Sequence, residues 1–283
     1  MVGKLLKYEM NFYSKIIFPF LLIMPITALL SRIVLIFKPP VDGYLYENEN
    51  HELVMAFYAL YYATFFMFCV AAILCFLMTN ITAVVRFYTN LFSAQGYLTM
   101  TLPVSATTHV FVKLLAAVIW TAVTGVVFVG SLCVLSAGDY LVEIVKAIVY
   151  MFKDVFINEP VDSILFVIEL SLFVLISPIS AFLSYYFCIA IGQMAKKARI
   201  LFAFIAYFVY YLIMQFVSML FAILEILGIG IFQYIDESLS AFELSSSFAM
   251  HLRLDSSLLL SIVLSVAFFI GTVVIMKKKL NLE

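Results

Sequence analysis

Apolar residues in this chain come in long blocks with at most one charge each, and most of the charged residues collect between them. Six such blocks run from about 16–37, 53–79, 110–135, 164–192, 200–227 and 257–276. Each reaches the roughly 20 residues that a helix needs to cross the hydrocarbon core of a bilayer. The pattern therefore predicts an all-α polytopic membrane protein with six transmembrane helices, forming a single transmembrane domain over residues 1–283. Composition agrees: 66% of the 283 residues are hydrophobic and 12% are charged, about half the charged share of an ordinary soluble domain. Lys4 and Lys7 precede the first block, but Pro19, Pro25 and Arg32 lie inside it. No small-residue cleavage site comes before Lys38–Pro40, so the first helix is expected to be retained rather than cleaved as a signal peptide.

The net charge of −1 is uninformative, but the placement of charge is not. Eleven of the sixteen basic residues fall on one side: at the N-terminus, between blocks two and three or at the start of three (Lys113), between four and five, and after six. The segments on the opposite side, including 136–163 and 228–256, hold thirteen of the seventeen acidic residues. By the positive-inside rule both termini and the 80–109 loop are cytoplasmic, and 136–163 and 228–256 are extracellular.

Two of the connecting segments have helical patterning of their own. Lys4, Lys7, Asn11 and Ser14 form a polar stripe opposite Leu6, Met10, Tyr13 and Ile17, which predicts an amphipathic interface helix over 1–15. Residues 139–155 set Asp139, Glu143, Lys146, Tyr150 and Lys153 against Leu141, Ile144, Val145, Ile148, Phe152 and Val155. Both suit anchoring at the membrane surface; the inner one also suits a partner contact.

The 80–109 loop is patterned too. Val84, Phe87, Tyr88, Leu91 and Phe92 recur at helical spacing, so the second helix should continue past Thr79 until Gly96 stops it. Pro103 disfavours helix at Leu102, and Ser105 can cap the third helix. Between them lies Tyr97-Leu98-Thr99-Met100-Thr101-Leu102, a short apolar segment outside the spans. It reads either as a turn resting on headgroups or as a knob that docks a soluble partner.

Enzyme motifs are absent from the sequence. There is no GxxxxGK[ST] phosphate loop, "HELVM" at His51 lacks the second histidine of a zinc-protease helix, and there is no Gly-x-Ser-x-Gly elbow. The basic residues mark membrane sidedness and form no nucleic-acid patch. Cys69, Cys75, Cys133 and Cys188 all fall inside apolar blocks with no histidine nearby in sequence, as packing thiols do. Arg32, Glu169 and Glu225 are charges within or at the edge of spans, where charge is costly and is usually paired or wetted. Arg32 can pair with one of the glutamates, or each can snorkel outward. In the fifth block Tyr207, Tyr211, Gln215, Ser218 and Glu225 share one side of a helix, a polar stripe fit for close packing or for a wetted path. Ala117, Thr121 and Gly125, and Ser177, Ala181 and Ser184, make small-residue ridges suited to helix packing.

"GKLLKYEM" at Gly3–Met10 and "QGYLTMTLPVS" at Gln95–Ser105 resemble the membrane (permease) subunits of type-2 ABC exporters from Firmicute-like bacteria, and the six-span plan extends that resemblance over most of the chain. The resemblance implies residence in the bacterial cytoplasmic membrane and a connecting helix that includes Lys4, Lys7 and Glu9. It also implies a coupling helix carrying Gln95, Gly96, Tyr97, Leu98, Thr99, Met100, Leu102 and Pro103. ATP and Mg would be bound by separate ATPase subunits, and this chain, binding no cofactor itself, would pair with a second permease copy or paralogue. An aromatic, weakly polar path suits an amphipathic or lipophilic cargo: a peptide, an antibiotic or a lipid-like molecule. Gln95 stands where the family form Glu-Gly-Tyr-Leu has its carboxylate. In such exporters the second and fifth spans line the path, which would place Tyr58 and Tyr62 opposite the fifth-span stripe; those two tyrosines equally suit an aromatic belt. A secondary transporter and a non-transporting scaffold or sensor are the rival readings.

Overall fold

The structure is a computed structural model. It describes residues 2–47, 51–93, 95–96, 101, 104–136, 142–143, 145–147, 149–150, 153, 160–195, 197–235 and 241–278, with side chains at 38–47, 51–54, 160–163, 225, 228–235, 241–250 and 278 outside the description. Among the described residues there is no strand, and six long helices account for most of the chain: α1 Val2–Glu47, α2 His51–Phe92, α3 Ala106–Leu135, α4 Pro160–Gly192, α5 Arg199–Ile235 and α6 Ala241–Lys278. Each contains a stretch long and apolar enough to cross a membrane: Val2–Phe37, Met55–Phe92, Ala106–Leu135, Ile164–Gly192, Arg199–Leu224 and His251–Lys277. The chain is an all-α, multi-pass membrane protein.

Two boundaries differ from the hydrophobic blocks. No break separates residues 2–15 from the first span: α1 is one helix of 46 residues, ~69 Å at 1.5 Å per residue. The apolar stripe read for its first turns is largely turned into protein, with Tyr13 1% and Ile17 0% exposed. The second helix does run past Thr79, as its spacing predicts, and stops at Phe92, four residues short of Gly96.

The chain divides into two compact units, Met1–Val85 with Leu115–Phe152, and Arg86–Leu114 with Lys153–Glu283. In the first, α1 buries Leu21, Met24 and Ala28, one side of the helix, and α2 buries Phe68, Ala71, Ala72 and Cys75. The Cys75 thiol donates to the Phe20 carbonyl at 3.0 Å, one position from Leu21, whose carbonyl loses its helical donor because Pro25 has no N–H. Phe128 of α3 stacks on Phe68 (6.3 Å between centroids, 4° between planes) and meets Phe76 edge-on. Thr79 and Thr124, both fully buried, touch hydroxyl to hydroxyl at 3.1 Å. Each hydroxyl also bonds to a carbonyl one turn back in its own helix, which is how an apolar slab tolerates hydroxyl groups.

In the second unit α4 packs on both α5 and α6, and α5 packs on α6. The contact is close because small residues permit it: a Cβ on Gly271 would come 2.6 Å from the Phe187 ring, and one on Gly192 2.7 Å from the Ala203 backbone nitrogen. Phe187 stacks on Phe268 across α4 and α6 at 4.8 Å. The buried part of α4 is its last third, Phe182–Ala190, whereas Ile164–Leu175 is mostly open. α5 is apolar nearly all round, and most of its large side chains are exposed, the composition of a helix whose surroundings are lipid or another membrane helix.

Candidate functional site

The α2–α3 hairpin is where the chain leaves its apolar regime, and its flanks are held hard. Arg86–Leu114 belongs with α4–α6 in the second compact unit. Phe87 and Tyr186, both 0% exposed, stack face to face with centroids 3.8 Å apart and planes 7° apart. The Tyr186 hydroxyl donates to the Lys113 carbonyl at 3.4 Å, so one α4 side chain holds both arms of the hairpin. Phe92 closes on Phe87 edge-on at 5.7 Å, and Leu91 is fully buried. Val110, Val112 and Leu114 are buried on the α3 arm.

The tip is built by a turn. The Gly96 amide donates to the Ser93 carbonyl at 2.7 Å. A Cβ on Gly96 would fall 2.4 Å from the Leu91 carbonyl oxygen, a backbone atom that cannot step aside. Gln95 is exposed and Gly96 buried. Ser105 begins α3 as its N-cap, its hydroxyl accepting the Thr108 amide at 3.3 Å, the arrangement that satisfies an otherwise unpaired helix-start donor. Tyr97, Leu98, Thr99, Met100, Leu102 and Pro103 lie outside the described residues.

At the start of α1, Lys4 and Lys7 are exposed while Glu9 is 6% exposed. Of the fifth-helix stripe, Tyr207 is half-buried and meets Tyr185 (5.3 Å) and Tyr210 (6.2 Å). Tyr211, Gln215 and Ser218 are exposed, and the Glu225 side chain lies outside the described residues. The neighbouring Phe208, Leu212 and Phe216 are also exposed, so the stripe differs from its flanks in chemistry and not in accessibility within one chain. On α2, Tyr58 stacks on Tyr62 at 6.5 Å and Tyr61 joins Tyr62 and Phe65, an aromatic cluster with Tyr62 largely exposed.

One of the charges inside the spans has a partner that the sequence did not suggest. Glu169 of α4 takes His251 of α6 as its partner: Nδ1 lies 2.7 and 2.9 Å from the two carboxylate oxygens. Glu169 is 13% and His251 21% exposed, and Phe166 meets the imidazole edge-on at 6.3 Å. Arg32 is half-buried and makes no ion pair among the described residues. A polar pair of this kind joins two helices through part-buried side chains. Interhelical polar contacts in membranes typically couple by ~0.6 kcal/mol and at most ~1.7 kcal/mol. A double-mutant cycle of Glu169→Gln and His251→Gln, read by unfolding in bilayer discs, should give a coupling in that range. A coupling of zero would mean the two side chains are neighbours without an energetic link.

Tyr186 and His251 are the two residues that sequence reasoning missed. Tyr186 sits in the aromatic run Tyr185-Tyr186-Phe187, and His251 is the one histidine in the last helix; those are the signals that were present. No three metal-ligating side chains converge among the described residues. The chain matches no family model, no curated protein and no solved structure.

Proposed function

We propose that this chain is the permease subunit of an ATP-driven exporter in a bacterial cytoplasmic membrane, with both termini and the α2–α3 hairpin in the cytoplasm. ATP and Mg would be bound by a separate ATPase that docks on the hairpin, and two permease chains would enclose the path. One observation carries the reading most: a polar hairpin between two spans has both arms held by one buried tyrosine of α4. A tip fixed in that way passes a push to α4 and, through Phe187–Phe268, to α6. Coupling between a partner's motion and the spans requires such a contiguous connection between elements. The α5 stripe of Tyr207, Tyr211, Gln215 and Ser218, open to its surroundings, supports a path suited to an amphipathic or lipophilic cargo.

Purified alone, the chain should hydrolyse no ATP. Isolated from its native membrane, it should bring with it a separate subunit carrying a phosphate-binding loop. Robust hydrolysis by the chain alone, or purification with no such subunit, overturns the proposal. The Glu169–His251 pair favours a second reading, a proton-coupled secondary transporter, because that machinery uses ionisable groups in or near the spans. Transport into vesicles driven by a pH gradient without ATP would select it.

A further inference from the structure

α4, α5 and α6 leave a cavity of about 470 Å³ between them, inside the size range of small-molecule sites. Phe187 and Cys188 of α4, Val209, Tyr210 and Met214 of α5, and Phe268 of α6 are among its lining residues. Its position along the helices fixes its surroundings. Tyr210 stands 11 residues into α5, ~17 Å from the helix start, within the membrane-crossing stretch Arg199–Leu224. The wall offers almost nothing polar: the Tyr210 hydroxyl is engaged by Ser184, and Cys188 is 4% exposed. Water entering a cavity needs two to four polar partners, and this one does not supply them. An empty cavity would forfeit the dispersion contacts of every atom lining it. One inserted side chain cannot fill the space either, since a single water needs only about 10–15 Å³ on the same measure. Val209 and Ile213, 46% and 56% exposed, put the opening on the apolar surface of α5. Hydrocarbon chains of the bilayer reach that depth and match the apolar lining of the opening.

We propose that this cavity is a binding site for one acyl chain of a membrane lipid. The site rests on the six-span fold alone and is independent of the exporter reading. It lies on a different side of α5 from Tyr211, Gln215 and Ser218, so a lipid held there leaves the polar stripe free.

The test uses the full chain in bilayer discs containing a phospholipid with a diazirine in mid-acyl chain, followed by mapping of the adducts. Adducts on residues 206–214 should exceed those on the exposed apolar face of α6 around Leu259 and Val263 several-fold. Ala206→Phe, which projects a ring into the cavity, should reduce that excess, and Leu259→Phe should not. If Ala206→Phe does not fold, Val209→Trp at the opening serves the same purpose. Equal labelling of the two faces overturns the proposal. So does a Val209→Cys chain that cross-links to a second copy while its acyl adducts vanish, because a protein partner would then fill the site.

Discussion

Phe87→Ala should lower the stability of the protein more than any comparable truncation on the spans' outer surfaces, by ~3–5 kcal/mol, the usual range for removing a buried aromatic ring. The ring is fully buried, is stacked on Tyr186 at 3.8 Å and is contacted again by Phe92. The loss combines the transfer term of the ring with the void left behind. Phe204→Ala is the control. That ring is 70% exposed, and its removal should shift stability by no more than ~0.5 kcal/mol. Both variants are to be unfolded in the same bilayer discs. Equal shifts would mean that the hairpin arms are not held where the structure puts them. A cycle with Tyr186→Ala should return a coupling of ~0.5–1.5 kcal/mol beyond area burial, as aromatic pairs do.

The parts of the fold that the sequence carried openly are those set by local pattern. Six apolar blocks became six long helices because a helix satisfies every backbone group within a membrane-length run. Ser105 caps α3 because an N-cap is decided within four residues. Continuation of α2 beyond Thr79 was legible in the spacing of Val84, Phe87, Leu91 and Phe92. Its stop at Phe92 was less so, because Gly96 is needed for the later turn against Leu91 and not for the helix end. The continuity of α1 from Val2 was hidden by Lys7 and Lys15, which interrupt the hydropathy without interrupting the helix.

The candidate sites were less legible, because each depends on residues far apart in the chain. Glu169 and His251 are 82 positions apart, and Phe87 and Tyr186 are 99 apart; no periodicity relates either pair. Charge balance offered Arg32 as a partner for one of the glutamates, with outward snorkelling as the alternative, and gave no reason to look at a histidine. A histidine at a span edge carries no such mark, since its charge depends on its surroundings. The polar stripe of α5 was readable as chemistry, yet what it faces is set by whatever packs on α5, and this chain alone does not supply that.

Leu98→Asp should weaken binding of the ATPase subunit by at least ~2 kcal/mol, about 30-fold in Kd, and should abolish transport while the spans stay folded. Tyr97, Leu98, Met100 and Leu102 supply the apolar content of the hairpin tip, and a docked tip would bury them in the partner. An aspartate there loses the apolar contact and is also desolvated without a cation, and both terms oppose binding. The described part of the hairpin argues that the damage stays local. Gly96 and Ser93 close the turn, Ser105 caps α3, and Phe87 with Tyr186 holds the arms, and none of these named contacts uses residue 98. Unfolding in bilayer discs should therefore be unchanged within ~0.5 kcal/mol, the scatter of surface substitutions. Normal affinity and normal transport in this variant would mean that the tip rests on headgroups, and the coupling reading would fall. Lost transport with normal affinity would place the defect after docking, in the passage of the push through Tyr186 to α4, and the Phe87→Ala chain should then show the same separation of binding from transport.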